Sequence, residues 1–240
     1  MNNEIRSKLI ALVGGSGAGK SWLADRLCQE FGDEATALSL DDFYCDLSQL
    51  TPSEREQINF DHPDAIDWPV FEGVLRELQK GVTALAPRYN FVSHTRVTEW
   101  EARSPRPFIF VDGLWLLWHE HVRALLDFRV FLDCIQSLRW QRRVTRDLNE
   151  RGRTTDSIRK QFVNVVVPMH ERFVERQKAW ADLVIEQSIT HTKLGRLVAT
   201  IHALRVEPGP TSSETTGARK TTPEVRRSSL YEHSHPESIF

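Results

Sequence analysis

A glycine-rich segment near the amino terminus has the residue types and spacing that bind phosphate groups. It matches the pattern Gly-x4-Gly-Lys-Ser and consists, in order, of Gly14, Gly15, Ser16, Gly17, Ala18, Gly19, Lys20 and Ser21. Glycines leave the backbone N–H groups free to converge on phosphate oxygens, because no side chain blocks the approach. Lys20 can reach the β- and γ-phosphates of a nucleotide, and Ser21 can offer its hydroxyl to Mg²⁺. The segment therefore predicts a nucleotide-binding loop in which Lys20 is catalytic.

The residues that flank this loop give it the context that phosphate binding requires. Five apolar residues, 9–13, precede it and predict a buried strand, and residues 21–28 open an amphipathic helix. A helix that begins at the loop adds unpaired N–H groups and its positive dipole end to the phosphate site. The alternative is a glycine-rich turn without function, which the flanking strand and helix make less credible.

Carboxylates follow two more predicted strands. Asp41 and Asp42 come directly after the predicted strand 35–40. Asp112 follows the apolar run 108–111 in the Walker B pattern. Because open α/β sheets bind ligands at the carboxyl ends of their strands, Asp41 is placed to be a general base for a hydroxyl acceptor and a Mg²⁺ partner. Asp112 would contact Mg²⁺ directly or through a ligand of the ion. The alternative for Asp41 and Asp42 is that they only form a turn and cap the start of a helix.

Six arginines occur within fifteen residues: Arg139, Arg142, Arg143, Arg146, Arg151 and Arg153. The first four recur at three- and four-residue spacing and would form one basic stripe on a helix. We favour a mobile lid that closes on a triphosphate, because guanidinium groups donate in forks to phosphate oxygens and a closed lid excludes water. The alternatives are a solvated face paired with Asp147 and Glu150, and an RNA-binding patch. A net charge of −2 and a pI near 6.5 give nucleic-acid binding little support.

A segment with β-branched and aromatic residues, 83–100, predicts a β-hairpin outside the parallel sheet. Tyr89, Phe91 and His94 cluster near its turn. These side chains would form either a small core or a platform on which a base stacks. A hairpin inserted in a phosphate-loop enzyme can also form the wall that grips the acceptor.

The composition bounds the class of protein. With 240 residues, 40% of them hydrophobic, the chain can form one large α/β domain, which we place at residues 1–206. Pro, Ser, Thr and Gly dominate residues 207–240, so a disordered tail is expected there. Three scattered cysteines and the absence of a long apolar segment predict a cytoplasmic protein with reduced thiols and no membrane contact.

Several separate motifs occur in order along the chain, from about Leu9 to Ile185. They are the glycine-rich loop, Asp41-x-Phe43-Tyr44, Asn59-Phe60-Asp61-His62-Pro63-Asp64-Ala65, Tyr89-x-Phe91-x-Ser93-His94-Thr95-Arg96, Val111-x-Gly113, Arg142-Arg143-x-x-Arg146-Asp147, Glu150-Arg151-Gly152-Arg153 and Pro168-Met169-His170. In these motifs the chain resembles the uridine kinases of the uridine/cytidine kinase group, within the phosphoribulokinase and uridine kinase superfamily of P-loop kinases. Phosphoribulokinases resemble it only in the phosphate loop and the acid at the strand end.

The resemblance implies a fold and a donor site. The fold would be α/β: a mostly parallel five-stranded sheet with helices on both faces, an inserted β-hairpin and an arginine-rich lid. Asp41 would be the base for a nucleoside 5′-hydroxyl and would hold Mg²⁺ together with Ser21 and Asp112. Arg146 and Arg151 would contact the phosphates of ATP.

The resemblance also implies an acceptor site. Its residues would be Asp61 and Arg143 on the ribose hydroxyls, Tyr89 and His94 at the pyrimidine edge, Tyr44 and Phe91 on the faces of the base, and Arg153 near the acceptor. The sequence departs from the family pattern at Asp112, where these kinases usually have Glu, and at Asp42, where they usually have Ser.

We therefore expect a Mg²⁺-requiring kinase that uses ATP, with GTP left open as a donor, to phosphorylate uridine and cytidine at the 5′-hydroxyl. The resemblance also implies a homo-oligomer, commonly a tetramer, and no nucleic-acid partner. One alternative is a kinase of the same superfamily that acts on another small hydroxyl acceptor, such as a sugar phosphate or pantothenate. The other is a non-catalytic, nucleotide-binding regulatory or RNA-associated protein.

Overall fold

The structure is a computed structural model of the chain that describes residues 6–55, 57–150, 152–186 and 189–205, and only the backbone of Glu150. In chain order the strands are β1 (Lys8–Gly14), β2 (Ala35–Ser39), β3 (Ala84–Ala86), β4 (Tyr89–Asn90), β5 (Thr95–Arg96), β6 (Glu101–Arg103), β7 (Phe108–Gly113), β8 (Phe128–Asp133) and β9 (Leu183–Glu186). The α-helices are α1 (Lys20–Phe31), α2 (Pro52–Arg55), α3 (Trp68–Gln79), α4 (Glu120–Leu125), α5 (Gln136–Glu150), α6 (Thr155–Gln161), α7 (Val167–Met169) and α8 (His191–Ala203).

A five-stranded sheet in the order β2-β7-β1-β8-β9 forms the centre of the fold, and every neighbouring pair in it is parallel. Ile10 and Leu12 of β1 pack with α1 and α8 on one face of the sheet. Leu9, Ala11 and Val13 pack with α3 and α4 on the other face. Because helices cover both faces, the central strands are apolar at successive residues rather than at alternate ones. The predicted sheet with helices on both faces is confirmed.

Local signals set the ends of the helices that flank this sheet. α1 ends at Gly32, whose φ of 56° lies in the left-handed region that favours glycine. α3 begins after Asp67, whose carboxylate accepts a hydrogen bond from the Val70 backbone N–H at 3.3 Å. Both ends are thus set by residues that are neighbours in the chain.

The predicted hairpin is present as two short antiparallel pairs outside the main sheet. β4 pairs with β5, and β3 pairs with β6. Arg96 of β5 links this hairpin to two other segments. It donates at 2.9 Å to the carbonyl of Tyr44, which follows the turn after β2, and at 3.0 Å to the carboxylate of Asp67, which precedes α3. The hairpin is thereby fixed beside the carboxyl end of β2.

From α6 to Trp180 the chain stays helical but changes its winding. The π-helical turns Phe162–Val166 and His170–Val174 lie on either side of α7, which contains Pro168 in its first turn. Proline lacks the N–H group that the interior of an α-helix uses, and a locally wider turn accommodates that loss. The segment therefore continues through the proline and carries its side chains back toward the sheet.

The tail predicted at residues 207–240 lies outside the described residues, as does Arg151, so the domain limits and the disorder remain predictions. The described part of the chain contains all three cysteines, and each is a free thiol. Across that same part, no helix has both the length and the apolar character needed to cross a bilayer.

A fully buried glutamine connects the segment after β7 to the helical segment that follows α7. The side-chain oxygen of Gln177 accepts hydrogen bonds from the backbone N–H groups of Leu117 and Trp118 at 2.8 and 3.0 Å. Its amide nitrogen donates to the carbonyls of Leu114 and Phe173 at 2.7 and 3.1 Å. Buried backbone groups need such partners, so this one side chain holds the two segments together.

We predict that Gln177→Leu lowers the free energy of unfolding by about 2–4 kcal/mol, because it leaves several buried backbone groups unpaired. The matched control is Gln79→Leu, which removes a single bond of 3.0 Å to the Leu125 carbonyl and should cost about 1 kcal/mol. Denaturant unfolding of both variants measures the difference. Equal losses would show that Gln177 has no special role in holding the segments.

Candidate active site

Parallel pairing brings the carboxyl ends of β1, β2 and β7 to one edge of the sheet. β7 lies between the other two strands, so that Asp112 is opposite Leu12 on one side and Ser39 on the other. Asp41 follows in the 3₁₀ turn Leu40–Phe43, where its backbone N–H donates to the Ser39 hydroxyl at 3.4 Å. The glycine-rich loop follows β1. The predicted catalytic and metal-binding residues therefore share one edge.

The charged groups at this edge lie close enough to affect one another. Ser21 donates to a carboxylate oxygen of Asp112 at 2.8 Å, and Asp112 is only 5% exposed. Burial and the negative charge of Asp41 raise the pKa of Asp112 to about 6. Lys20 donates to the Gly15 carbonyl at 3.2 Å; burial lowers the pKa of its ammonium group, and the two carboxylates oppose that shift. Both carboxylates thus act electrostatically on the same ammonium group.

This set of groups fits Mg²⁺. In kinase sites the ion is held by oxygen ligands, typically one or two carboxylates together with substrate phosphates. Asp41 and Asp112 offer carboxylates and Ser21 a hydroxyl. Burial and the charge of Asp41 raise the pKa of Asp112, and a bound cation would favour its charged form. No cluster of three or more His, Cys, Asp or Glu side chains in the described ranges could hold a metal alone.

The arginine-rich helix α5 packs directly on the glycine-rich loop. Gly17 has a φ of +81°, and a Cβ at this position would collide with the backbone carbonyl of Arg139. Arg142 donates from Nη1 to the carbonyl oxygens of Gly17 and Ala18 at 3.3 and 3.1 Å. A glycine at position 17 is therefore what allows the helix to approach the loop this closely.

Two of the predicted arginines are buried rather than solvated. Arg139 is 3% exposed and Arg143 is 4% exposed. Arg143 donates from Nη1 to the Ser16 hydroxyl at 2.8 Å and from Nη2 to the Gln161 side-chain oxygen at 3.0 Å. The Asp147 carboxylate lies 3.4 Å from its Nε. The interpretation of the stripe as a solvated face is wrong for these two side chains, because their side of α5 meets the loop.

Asp147 is a fully buried carboxylate that several arginines share. It pairs with Arg143, and it lies 2.8 Å from a guanidinium nitrogen of Arg146 and 4.0 Å from one of Arg153. Arg153 also donates to the side-chain oxygen of Gln161. One carboxylate therefore pairs with arginines of α5 and of the segment that follows it.

A cavity of about 430 Å³ opens between this arginine-rich face and the hairpin. All seven residues that were predicted to bind the acceptor line it: Tyr44, Asp61, Tyr89, Phe91, His94, Arg143 and Arg153. Asp41, Arg146 and Ser16 also line it, so the predicted base faces the same space. The other predicted residues are outside its lining and lie in the adjacent loop, helix start and strand end: Gly14, Gly15, Gly17, Ala18, Gly19, Lys20, Ser21 and Asp112.

Part of the cavity lining is aromatic. The ring centroids of Tyr44 and Tyr89 are 5.1 Å apart, and those of Tyr89 and Phe91 are 5.5 Å apart. His94, at a φ of 54°, stacks on Phe60 with centroids 4.4 Å apart and planes 15° apart. The hairpin aromatics thus pack on one another as a small core and, on their open side, form a wall of the cavity.

The two tyrosine hydroxyls in this wall differ in their partners. The Tyr44 hydroxyl donates to the Phe60 carbonyl at 3.1 Å. The Tyr89 hydroxyl is buried and has no hydrogen-bond partner among the described residues. Burial raises the pKa of Tyr89 far above its ordinary value, so the group stays a protonated donor. A buried hydroxyl without a partner is unfavourable, and a ligand with an acceptor atom would satisfy it.

Another part of the lining is polar and includes Gln161, which is not among the predicted site residues. The Gln161 oxygen accepts from Arg143 and Arg153, and its nitrogen lies 3.4 Å from the Asp61 carboxylate. Further lining residues without a prior prediction are Ile58, Phe60, Leu114 and Ser157. The available signals were the position of Phe60 next to Asp61 and the four-residue spacing of Ser157 and Gln161 on one side of α6.

Comparison with known proteins identifies relatives over most of the chain. The uridine kinase of Clostridium novyi is 39% identical over 184 residues, which cover 76% of this chain and 88% of that protein. The uridine kinase of Brevibacillus brevis is 37% identical over 199 residues, which cover 79% of this chain and 93% of that protein.

A solved structure and a family model agree with these relatives. The phosphoribulokinase from Rhodobacter spheroides matches with a TM-score of 0.58 over 75% of this chain and 70% of that chain, at 17% identity, which shows a shared fold. Residues 9–193 match the model of the family described as Phosphoribulokinase / Uridine kinase family. The chain therefore belongs to the phosphoribulokinase and uridine kinase family.

Proposed function

We propose that this protein is a uridine kinase, which transfers the γ-phosphoryl group of ATP to the 5′-hydroxyl of uridine, and of cytidine, for pyrimidine salvage. The observation that carries the proposal is the cavity of about 430 Å³, because it combines aromatic, acidic and arginine side chains and extends to Asp41. Relatives that are 39% and 37% identical and are named uridine kinases support the same acceptor.

In the proposed reaction, the 5′-oxygen attacks the γ-phosphorus, the bond from that phosphorus to the β–γ bridging oxygen breaks, and ADP leaves. Asp41 takes the proton of the 5′-hydroxyl, since it lies two residues after β2 and lines the acceptor cavity. Lys20 and the backbone N–H groups of the loop stabilise negative charge on the phosphates. Because phosphoryl transfer needs little covalent chemistry from the protein, positioning and charge stabilisation supply most of the rate.

Mg²⁺ is the cofactor in this proposal, and Ser21, Asp41 and Asp112 are the residues that would hold it. When bound, the ion offsets the negative charge of the phosphate oxygens. The hydrogen bond of 2.8 Å between Ser21 and Asp112 supports a common site for these groups. Asp112 is one methylene shorter than the Glu that is usual in the family, so its reach toward the ion is shorter.

The base of the acceptor is recognised, in this proposal, by the aromatic part of the lining. Tyr44 and Phe91 pack on the faces of the pyrimidine, and Tyr89 and His94 read its edge. The Tyr89 hydroxyl supports this role, because it is buried, protonated and without a protein partner, and uracil presents carbonyl oxygens that accept hydrogen bonds.

The ribose is held by the polar part of the lining. Asp61 accepts from the ribose hydroxyls and Arg143 donates to them, which favours ribonucleosides over deoxyribonucleosides. Arg153 lies near the acceptor, where Gln161 bonds both arginines and approaches the Asp61 carboxylate at 3.4 Å.

The donor side of the proposal rests on the loop and on two arginines. The loop residues and Arg146 and Arg151 bind the phosphates of ATP; Arg146 lines the cavity, whereas Arg151 lies outside the described residues. ATP rather than GTP as donor, a homo-oligomer such as a tetramer, and a cytoplasmic location stay predictions.

The alternatives are less well supported. The burial of Arg139 and Arg143 argues against an RNA-binding surface, because buried guanidinium groups cannot reach a nucleic-acid backbone. A sugar phosphate or pantothenate has no flat ring for the aromatic wall of the cavity, so that wall favours a nucleoside.

The acceptor and the base can be tested together by ADP release with ATP and Mg²⁺. The acceptors are uridine, cytidine, deoxyuridine, adenosine, ribulose 5-phosphate and pantothenate, and we expect turnover with uridine and cytidine only. Asp41→Asn should lower kcat by about 10²–10⁴-fold, because the general base is lost.

Asp42→Asn is the matched control for this experiment, since Asp42 adjoins Asp41 in the chain but is not among the residues that line the cavity. It should keep most of the activity. Equal losses in the two variants would contradict the assignment of the base. Turnover of ribulose 5-phosphate or pantothenate in place of nucleosides would contradict the proposed acceptor.

Tyr89→Phe should raise the KM for uridine by about tenfold, which corresponds to about 1.4 kcal/mol of lost binding. Its stability should hardly change, because the hydroxyl has no partner in the free protein. Tyr44→Phe is the control with the opposite pattern: it loses the bond to the Phe60 carbonyl and should cost about 1 kcal/mol of stability, with a smaller effect on KM. Uridine kinetics and denaturant unfolding measure both quantities. An unchanged KM in Tyr89→Phe would rule out base recognition by this hydroxyl.

A further inference from the structure

A continuous series of hydrogen bonds joins the nucleotide-binding loop to the acceptor side of the cavity. The Ser16 hydroxyl accepts from Arg143 Nη1 at 2.8 Å. Arg143 Nη2 donates to the Gln161 oxygen at 3.0 Å, and the Gln161 nitrogen lies 3.4 Å from the Asp61 carboxylate. Ser16 belongs to the loop and Asp61 to the proposed ribose site, so three contacts connect the proposed donor site to the proposed acceptor site.

Within the nucleotide-binding loop, the side chain of Ser16 points to Arg143 of α5. Ser16 is 8% exposed, and its hydroxyl is the acceptor for a guanidinium group that is itself 4% exposed. Hydrogen bonds from a charged donor are among the stronger ones, and a buried guanidinium N–H left without a partner is unfavourable. The position of Arg143 therefore depends on the position of the loop residue that accepts from it.

A carboxylate on the same helix forms an ion pair with the guanidinium of Arg143. The Asp147 carboxylate, which is fully buried, lies 3.4 Å from Arg143 Nε and also pairs with Arg146 at 2.8 Å. The side chain is therefore hydrogen-bonded through Nη1 and Nη2 and ion-paired beside Nε, which restrains it on three sides. A change at Ser16 is therefore passed to Gln161 and to Asp61.

We propose, on the basis of the proposed function, that Ser16 is a positioning residue that couples nucleotide binding to nucleoside binding. A nucleotide that orders the loop fixes the Ser16 hydroxyl, which fixes Arg143 and, through Gln161, the carboxylate that receives the ribose. The acceptor then binds more tightly when the donor site is occupied. Thermodynamic linkage requires that the nucleoside tighten nucleotide binding by the same factor.

The test is calorimetric binding of uridine to the full chain, with and without Mg²⁺ and saturating non-hydrolysable ATP analogue. The readout is the coupling factor, which is the ratio of the two dissociation constants. In the wild type it should be about fivefold or more. In Ser16→Ala it should fall to about one, and Ser16→Thr, which keeps the hydroxyl, should restore it.

Ser157→Ala is the matched control, because the Ser157 hydroxyl accepts from Arg153 at 2.9 Å on the acceptor side without contacting the loop. It should weaken uridine binding equally with and without the analogue and leave the coupling factor at the wild-type value. This pattern separates coupling from a general loss of acceptor affinity.

The outcomes separate this inference from the function on which it rests. If the wild type binds uridine and Ser16→Ala keeps the wild-type coupling factor, the role of Ser16 is refuted while the proposed function stands. The same holds if the wild type binds uridine equally with and without the analogue, or if Ser157→Ala loses coupling as Ser16→Ala does. If the wild type binds no pyrimidine nucleoside, the proposed function fails and the coupling falls with it.

Discussion

The burial of the Arg143 guanidinium is the constraint on which the arrangement of the site depends. A charge that is 4% exposed must be paired and hydrogen-bonded, because an isolated buried ion is strongly unfavourable. Its partners are the Asp147 carboxylate, the Ser16 hydroxyl and the Gln161 oxygen. These come from α5, the glycine-rich loop and α6, so satisfying one guanidinium group fixes three elements relative to one another. The cavity that was proposed for the acceptor lies where these elements meet the hairpin.

The parallel sheet imposes a second constraint, which concerns charge. Because β7 lies between β1 and β2, the residues at the carboxyl ends of these strands lie close together. The carboxylates of Asp41 and Asp112 are therefore near Lys20. The pKa of Asp112, raised to about 6 by burial and by Asp41, is the consequence. The edge thus holds two carboxylates close together, which suits it to a cation and to the transfer of a proton.

Much of the fold could be predicted because its signals are local. The continuous apolar runs of β1 and β7, the cap at Asp67 and the glycine after α1 each depend on residues a few positions apart. The loop could also be predicted, because its spacing is itself the phosphate-binding geometry. The hairpin was predicted as an element, yet its aromatic side chains could not be assigned to a core or to a cavity, since that depends on what packs against them.

The rest of the site depends on contacts that are distant in the chain. Three- and four-residue spacing puts the arginines of α5 on one side of a helix, but spacing cannot tell whether that side meets water or protein. The partner that buries Arg143, Ser16, is 127 positions away, and Gln161 is 100 positions from Asp61. From the sequence alone, Asp147 and Gln161 therefore look like ordinary residues on a helix surface, because their contacts are visible only in the folded structure.

In the proposed function, the cavity presents the 5′-hydroxyl of a pyrimidine ribonucleoside to Asp41 and the nucleotide-binding loop. The most direct measurement is ³¹P NMR of the product formed from uridine, ATP and Mg²⁺. We expect one new phosphomonoester signal, split into a triplet by the two 5′ protons of the ribose. A doublet, which marks phosphorylation at the 2′ or 3′ position, or the absence of a new phosphomonoester, would contradict it.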